Sequence, residues 1–415
     1  MIMMNKIEYL LLLLAAVLLP WDWSYSLYGV ALLFLMGVAK TVRSRKFLNP
    51  MLDAQSRWPL LALIALVGWY AVSLLWTANT SEGVEMVVTK SSMLLASLWV
   101  LCSDTSYLTR RHLRALLYLF AASLVVLFFV RLGINIRRVV TEPDTTWVSR
   151  MCFGFDKRHH SYISIYILVA LWGLYHEQIS RWRQMPRSNR TLWVALVLLL
   201  VVYLIVINSR AGVLFLLLSL FLMAAHAWLH TRRIAKPLVS LCCALVVAVG
   251  VHYALPKTQN RVNQTSVTAE AAAKGTTEQA SRPDKRLAIW QASLRLAKSE
   301  WPLGVGVGDR FDNLKPIYEE FGDQESIDRR KNSHNQFLDT LVSTGIVGLA
   351  VLLLFFASLL YVAWRSRSWQ LFVFALCLGF NCLFETLLDR QMALFFIPLV
   401  IGLLMCHNKL HSTQS

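Results

Sequence analysis

Four basic side chains sit where a hydrophobic chain has little reason to place them. The stretch HNQFLDTLVSTGIVG, His334 to Gly348, sets an imidazole and an amide at the mouth of a long apolar run. A free imidazole titrates near 6.5, so His334 can be neutral and accept a proton close to neutral pH. General-base catalysis requires that property, together with hydrogen-bond reach of the proton it takes. The plainer reading of a histidine at a helix entrance is an interface anchor, and Asn335 reads as a helix cap. In NSRAG (208–212) Arg210 joins two hydrophobic runs with almost no loop. It is a snorkelling side chain or a fixed cation at the membrane boundary. Arg286 opens an amphipathic stretch, where a solvated charge is the bland alternative. Lys90 lies inside GVEMVVTKSSMLLASLW, and an ionisable group within a span points to function by default; placement at the interface competes with that. A base accompanied by fixed arginines suits chemistry on a phosphate-bearing group. Gly345 and Gly348 read as small residues that let helices approach, and Glu385 with Arg390 as an ion pair holding two helices.

These residues must be positioned by membrane helices. The 415 residues are 56% hydrophobic, with mean hydropathy +0.51, above what an ordinary soluble domain sustains. Apolar runs of about 20 residues recur, the length that crosses a bilayer core as a helix. They are continuous rather than alternating, which excludes a barrel. The fold expected is an all-α polytopic membrane protein with about twelve spans, at 8–21, 25–40, 58–76, 85–102, 113–133, 160–177, 190–207, 211–229, 236–254, 340–364, 369–386 and 391–407. Three regions follow: residues 1–254 with nine spans, a large loop over 255–339, and residues 340–415 with three spans and a tail. The first apolar run lacks a small-residue cleavage site and reads as a retained helix.

The net charge of +17 reads as topology rather than as a nucleic-acid surface. KTVRSRK (40–46), TRRHLR (109–114), RWRQMPRSNR (181–190), HTRRIAK (230–236) and WRSR (364–367) fall on one side if every run crosses once, and the positive-inside rule makes that side cytoplasmic. Both termini then lie inside. The loops 134–159 and 255–339 lie outside, yet the first carries Arg137, Arg138, Arg150, Lys157 and Arg158. Long loops can solvate such charges; the alternative is an anionic ligand on the outer face. The seven cysteines show no zinc spacing and no disulfide framework.

Within the large loop, residues 257–281 are polar and poor in aromatics. Residues 283–299 predict a helix whose apolar face carries Leu287, Trp290, Leu294 and Ala297. WPLGVGVGDRF (301–311) spaces its glycines GxGxG without a strand-to-helix crossover, so it reads as a turn that lets backbone approach a ligand or helix, not as a nucleotide cradle.

In order, these features resemble the O-antigen ligase family. His334-Asn335, nine residues, Gly345, two residues and Gly348 match its signature. Ser209-Arg210 matches an SR dipeptide at an outer helix junction, Arg286 and Trp290 an Arg shortly before a Trp, and Pro302 to Gly306 its P-L-x-G-x-G. The likeness covers roughly residues 190–400; the amino-terminal spans match only in hydropathy. It implies a glycosyltransferase of the GT-C type, without metal, cofactor or nucleotide sugar, in the bacterial inner membrane with its site facing the periplasm. It implies a donor glycan on undecaprenyl diphosphate and, for the ligase, a lipid A–core acceptor. By position, His334 would activate the acceptor hydroxyl while Arg210 and Arg286 bind the diphosphate. Arg137 and Arg138, which match no motif, and Lys90 are expected as further contacts to the donor diphosphate, and Arg150, also without a motif match, as a weak donor or acceptor contact. O-antigen polymerases and protein O-oligosaccharyltransferases share the signature. A lipid-linked oligosaccharide transporter, which would place charges at the midplane and repeat across its halves, is the more distant alternative.

Overall fold

The computed structural model describes residues 1–21, 23–141, 160–179, 185–207, 210–231 and 285–412. The helices are α1 (Ile2–Leu18), α2 (Trp23–Ser44), α3 (Trp58–Val72), α4 (Thr80–Cys102), α5 (Arg110–Thr141), α6 (His160–Ile179), α7 (Arg187–Val206), α8 (Arg210–Thr231), α9 (Lys285–Ser299), α10 (Arg310–Glu320), α11 (Gln336–Arg365), α12 (Trp369–Cys382) and α13 (Phe396–Ser412). A helix stands at every expected span except 236–254, which lies outside the described residues. Seven helical stretches among the described residues are long and apolar enough to cross a membrane: 27–44, 55–75, 80–102, 110–134, 187–206, 336–365 and 391–411. In lipid the backbone must satisfy its own hydrogen bonds, which is why such sequences fold as helices. The ends are set locally: Asn79 accepts from the amide of Glu82, and Ser368 from that of Leu371, each supplying an oxygen to an otherwise orphaned first-turn amide.

Two departures from helix shape the site. The first is in α11, where Gly345 takes φ +66 and interrupts the helix. The freed carbonyls find partners: Val342 O accepts from Val305 N at 2.9 Å, Ser343 O from Gly306 N at 3.0 Å, and Thr344 O from Trp69 Nε1 at 2.9 Å. Ile346 N in turn donates to Pro302 O at 3.0 Å. Gly345 is therefore a helix break that receives the 302–306 strap, not the helix-packing glycine its spacing suggested. Gly348 does serve packing, facing Trp69 of α3.

The second departure follows α12. This helix has only 14 residues, about 21 Å at 1.5 Å per residue, which is short of a bilayer core. The chain leaves it for a turn (383–395) in which Leu387, Leu388, Met392, Ala393 and Leu394 are buried. The expected span 369–386 is thus a shorter helix followed by a turn that dips into the bundle.

The face of α9 also differs from expectation. Ala288, Ile289, Ala292, Ser293, Leu296 and Ala297 are buried, whereas Leu287 and Leu294 are exposed. Apolar residues surround most of this helix, and the small ones win the buried side because α9 packs closely on the broken part of α11. The larger leucines are left outside, where a membrane interface would accept them.

Candidate active site

His334 lies in the left-handed region, with φ +45, a conformation uncommon for a residue with a side chain. Its neighbours pin it there. The amide of His334 donates to Asn332 Oδ1 at 3.2 Å, and Asn332 Nδ2 donates to Thr386 Oγ1 at 2.6 Å, tying this loop to the dipping turn. Ser293 Oγ of α9 donates to Ser333 Oγ at 3.0 Å. Asn335 caps α11, accepting from the amides of Phe337 and Leu338. Backbone strain held by several independent contacts is a recurrent feature of functional sites.

So held, the imidazole faces Glu385. His334 Nδ1 lies 3.7 Å from Glu385 Oε2, and Arg286 Nη2 lies 3.7 Å from Glu385 Oε1. The carboxylate thus stands between the two predicted site residues, one on each oxygen. Their exposures separate their roles: the side chains of Arg286 and His334 are 47% and 30% exposed, that of Glu385 8%. The arginine and histidine can meet a substrate, while the carboxylate supports them from beneath. The Arg286 guanidinium also lies 5.9 Å from the centre of the Phe384 ring, and Trp290 packs tilted on that ring at 6.4 Å. Glu385, expected to pair with Arg390, is the residue that sequence reasoning underused; an acid beside a turn between two apolar runs was the available signal.

Arg210 begins α8; its side chain lies outside the described residues. The backbone position follows from its neighbours. At Gly212 a Cβ would meet Ser164 Oγ of α6 at 2.6 Å, and Tyr162, half a turn earlier in α6, donates to Thr386 O at 3.3 Å. The start of α8 therefore stands at the level of Glu385. Arg137 is exposed near the end of α5. The side chain of Arg138, and Arg150 entirely, lie outside the described residues.

Lys90 is placed elsewhere. It is fully buried, with Nζ 2.6 Å from Leu388 O, 2.8 Å from Asp389 Oδ1 and 4.2 Å over the Tyr70 ring. These partners consume the cation. Arg310 completes a four-charge cluster by donating to Asp389 Oδ2 at 2.6 Å and to Asp339 Oδ2. Burial alone would lower the basicity of Arg310, but the two carboxylates raise it further. Burial pushes the Asp389 carboxyl up, and Arg310 and Lys90 outweigh this, holding it well below the usual carboxylate range. Two cations and two anions leave the cluster neutral, as deep burial demands. Asp339 stands inside the very stretch that drew attention to His334, and an acid in an apolar helix was its signal.

The glycine-rich strap locks this end together. Asp309 accepts from the amides of Ala78 and Asn79, both at 2.6 Å. At Gly308 a Cβ would meet Asn79 O at 2.2 Å. The strap thus runs against two helix ends, α4 and the broken α11, as the spacing suggested for close backbone approach. Among the described residues no group of three or more His, Cys, Asp or Glu could hold a metal ion.

The site can do three things chemically: offer an imidazole to a hydroxyl, present a guanidinium to an anion, and keep a carboxylate behind both. No curated protein matches the chain. Residues 195–353, which contain α8, α9, the strap and the His334 turn, match the family described as O-antigen ligase.

Proposed function

We propose that the chain is an O-antigen ligase of the bacterial inner membrane, transferring a glycan from undecaprenyl diphosphate to a sugar hydroxyl of lipid A–core on the periplasmic face. The observation that carries this reading is the convergence of Arg286 and His334, both within the matched residues 195–353, on Glu385 at one end of the bundle. His334 takes the proton of the acceptor hydroxyl. The hydroxyl oxygen bonds to the anomeric carbon as the bond from that carbon to the diphosphate oxygen breaks, inverting the configuration. Undecaprenyl diphosphate leaves with the bond's electrons, and the imidazolium then releases its proton to water. Arg286 and Arg210 stabilise the charge that develops on the leaving diphosphate, work that preoriented cations do well. In this reading their guanidinium groups do the work of a metal. Lys90 and Arg310 hold the floor of the site and touch no substrate.

Cells carrying His334→Ala or Arg286→Ala in place of the native chain test this. The expected result is accumulated lipid-linked polymer and an uncapped lipid A–core. Core capping at the native level would overturn the roles given to these residues. Single repeat units on the core, in place of unattached polymer, would reassign the chain as a polymerase using the same chemistry.

A further inference from the structure

Glu385 touches both arms of the proposed reaction, the cation for the leaving group and the base for the acceptor. From this geometry we infer that Glu385 is a positioning residue that couples donor binding to activation of His334. The inference rests on the glycosyltransferase reading above and deepens it.

The argument begins with charge. Oε1 faces Arg286 and Oε2 faces His334, each at 3.7 Å. Both are ion-pair distances, long for direct hydrogen bonds. Arg286 is half exposed, while Glu385 is buried. A diphosphate carries more charge than a carboxylate and takes a bidentate arginine well. On donor binding the guanidinium swings from Glu385 to the diphosphate. The buried carboxylate then has less positive charge near it, and His334 is the neighbour able to supply it by accepting a proton. An opposite charge close by favours the protonated form of an imidazole, so His334 becomes a stronger base when a glycan is in place to be attacked. Without donor, Arg286 offsets the carboxylate and the base stays weaker, which protects against misdirected proton transfer. Among the described residues, Arg390 and Asp389 on the dipping turn act with Glu385 on Tyr162 of α6, and Lys331 precedes His334 on its own loop. Lys331 pairs with Glu325 and Asp389 is held in the buried cluster. Glu385 is the carboxylate within ion-pair distance of both partners.

Glu385→Gln separates this role from a structural one, because it keeps the shape and removes the charge. The full-length chain in lipid nanodiscs is assayed for glycan transfer across pH, and for binding of undecaprenyl diphosphate itself as the probe. The expected turnover falls by about 10- to 100-fold, the scale of weakening a general base. The acid limb of the pH–rate profile moves to lower pH. Undecaprenyl diphosphate binds as tightly as to the native chain or a few-fold tighter, since Arg286 no longer has to leave a carboxylate. Glu385→Asp, with the charge kept on a shorter arm, restores part of the turnover. Native turnover with an unmoved acid limb in Glu385→Gln overturns the inference. So does a loss of diphosphate binding in step with turnover, which would make Glu385 a purely structural support. If His334→Ala and Arg286→Ala are inactive while Glu385→Gln is native-like, the coupling fails and the glycosyltransferase reading stands. If all three retain native activity, the site itself is wrong.

Discussion

At the scale of single residues, the proposed site divides into partly exposed side chains, His334 and Arg286, and buried ones, Glu385 and Lys90. Lys90 shows why the sequence alone could not separate them. A lysine in an apolar run is conspicuous, but its partners Leu388 and Asp389 lie 298 and 299 residues away in the chain. His334 and Arg286 drew attention in the sequence through their types and order; the contacts that Glu385 and Arg310 make did not, because those partners are remote in the chain. The cluster makes its own prediction. Arg310→Met leaves Asp339 and Asp389 facing each other with only Lys90 for compensation, which costs about 3–5 kcal/mol when a buried pair loses one partner. Thermal unfolding in detergent measures it. The pH dependence has a definite sign. The folded-state Asp389 carboxyl is depressed, so its contribution is complete above the unfolded value near 3.9 and is lost as pH falls through the lower folded value. The stability gap between the native chain and Asp389→Asn should therefore stay constant above about pH 5 and shrink below pH 4. A gap that widens in acid would contradict the assignment.

At the scale of elements, the informative places are where helices stop. Hydropathy finds spans because lipid leaves the backbone one local solution, and it cannot find the two places where neighbouring protein supplies another. The break at Gly345 depends on the strap at 302–306, which is remote in sequence, so spacing alone suggested only a packing glycine. The conformation makes a sharp test. A Cβ at Gly345 would lie 2.0 Å from Pro302 O, in a backbone that side chains rarely adopt. Gly345→Ala should displace the strap and lower the unfolding temperature strongly, with loss of transfer, since the strap and the His334 turn share α11. Gly68 in the middle of α3 has no atom within 4 Å of its virtual Cβ, and Gly68→Ala should stabilise by about 0.5–1 kcal/mol through helix propensity. Equal behaviour of the two alanine variants in a thermal scan would show that α11 is not broken there. The same logic explains α9, where two leucines that looked like core turned outward because small residues were needed against the break.

At the scale of the whole molecule, one end of the bundle gathers the residues of the proposed site, and the side on which that end lies decides what it can reach. The strap docks on the start of α4 through Asp309. The dipping turn reaches Lys90, and α9 ties to the His334 loop. These links put residues 285–335, the start of α4 and the 383–395 turn on one side. The basic loops follow at the opposite helix ends, but not all of their charge faces water. Lys40 is buried against Glu8 at 2.5 Å and against Asp104 O, and that same carboxylate accepts from Trp99 Nε1 and Ser103 Oγ. Orientation therefore rests on Arg43, Arg45, Lys46 and the later arginines, which still outnumber the acids of their loops. On the orientation proposed here, the positive-inside rule puts the site outside the cytoplasm. In a cysteine-free background, Lys315→Cys on the exposed face of α10 should react with a membrane-impermeant maleimide in spheroplasts without permeabilisation. Arg45→Cys should react only once the membrane is opened. The reverse pattern would put His334 at the cytoplasmic face, where the lipid A–core acceptor proposed above would have to be met before export, and the ligase reading would fall with the orientation.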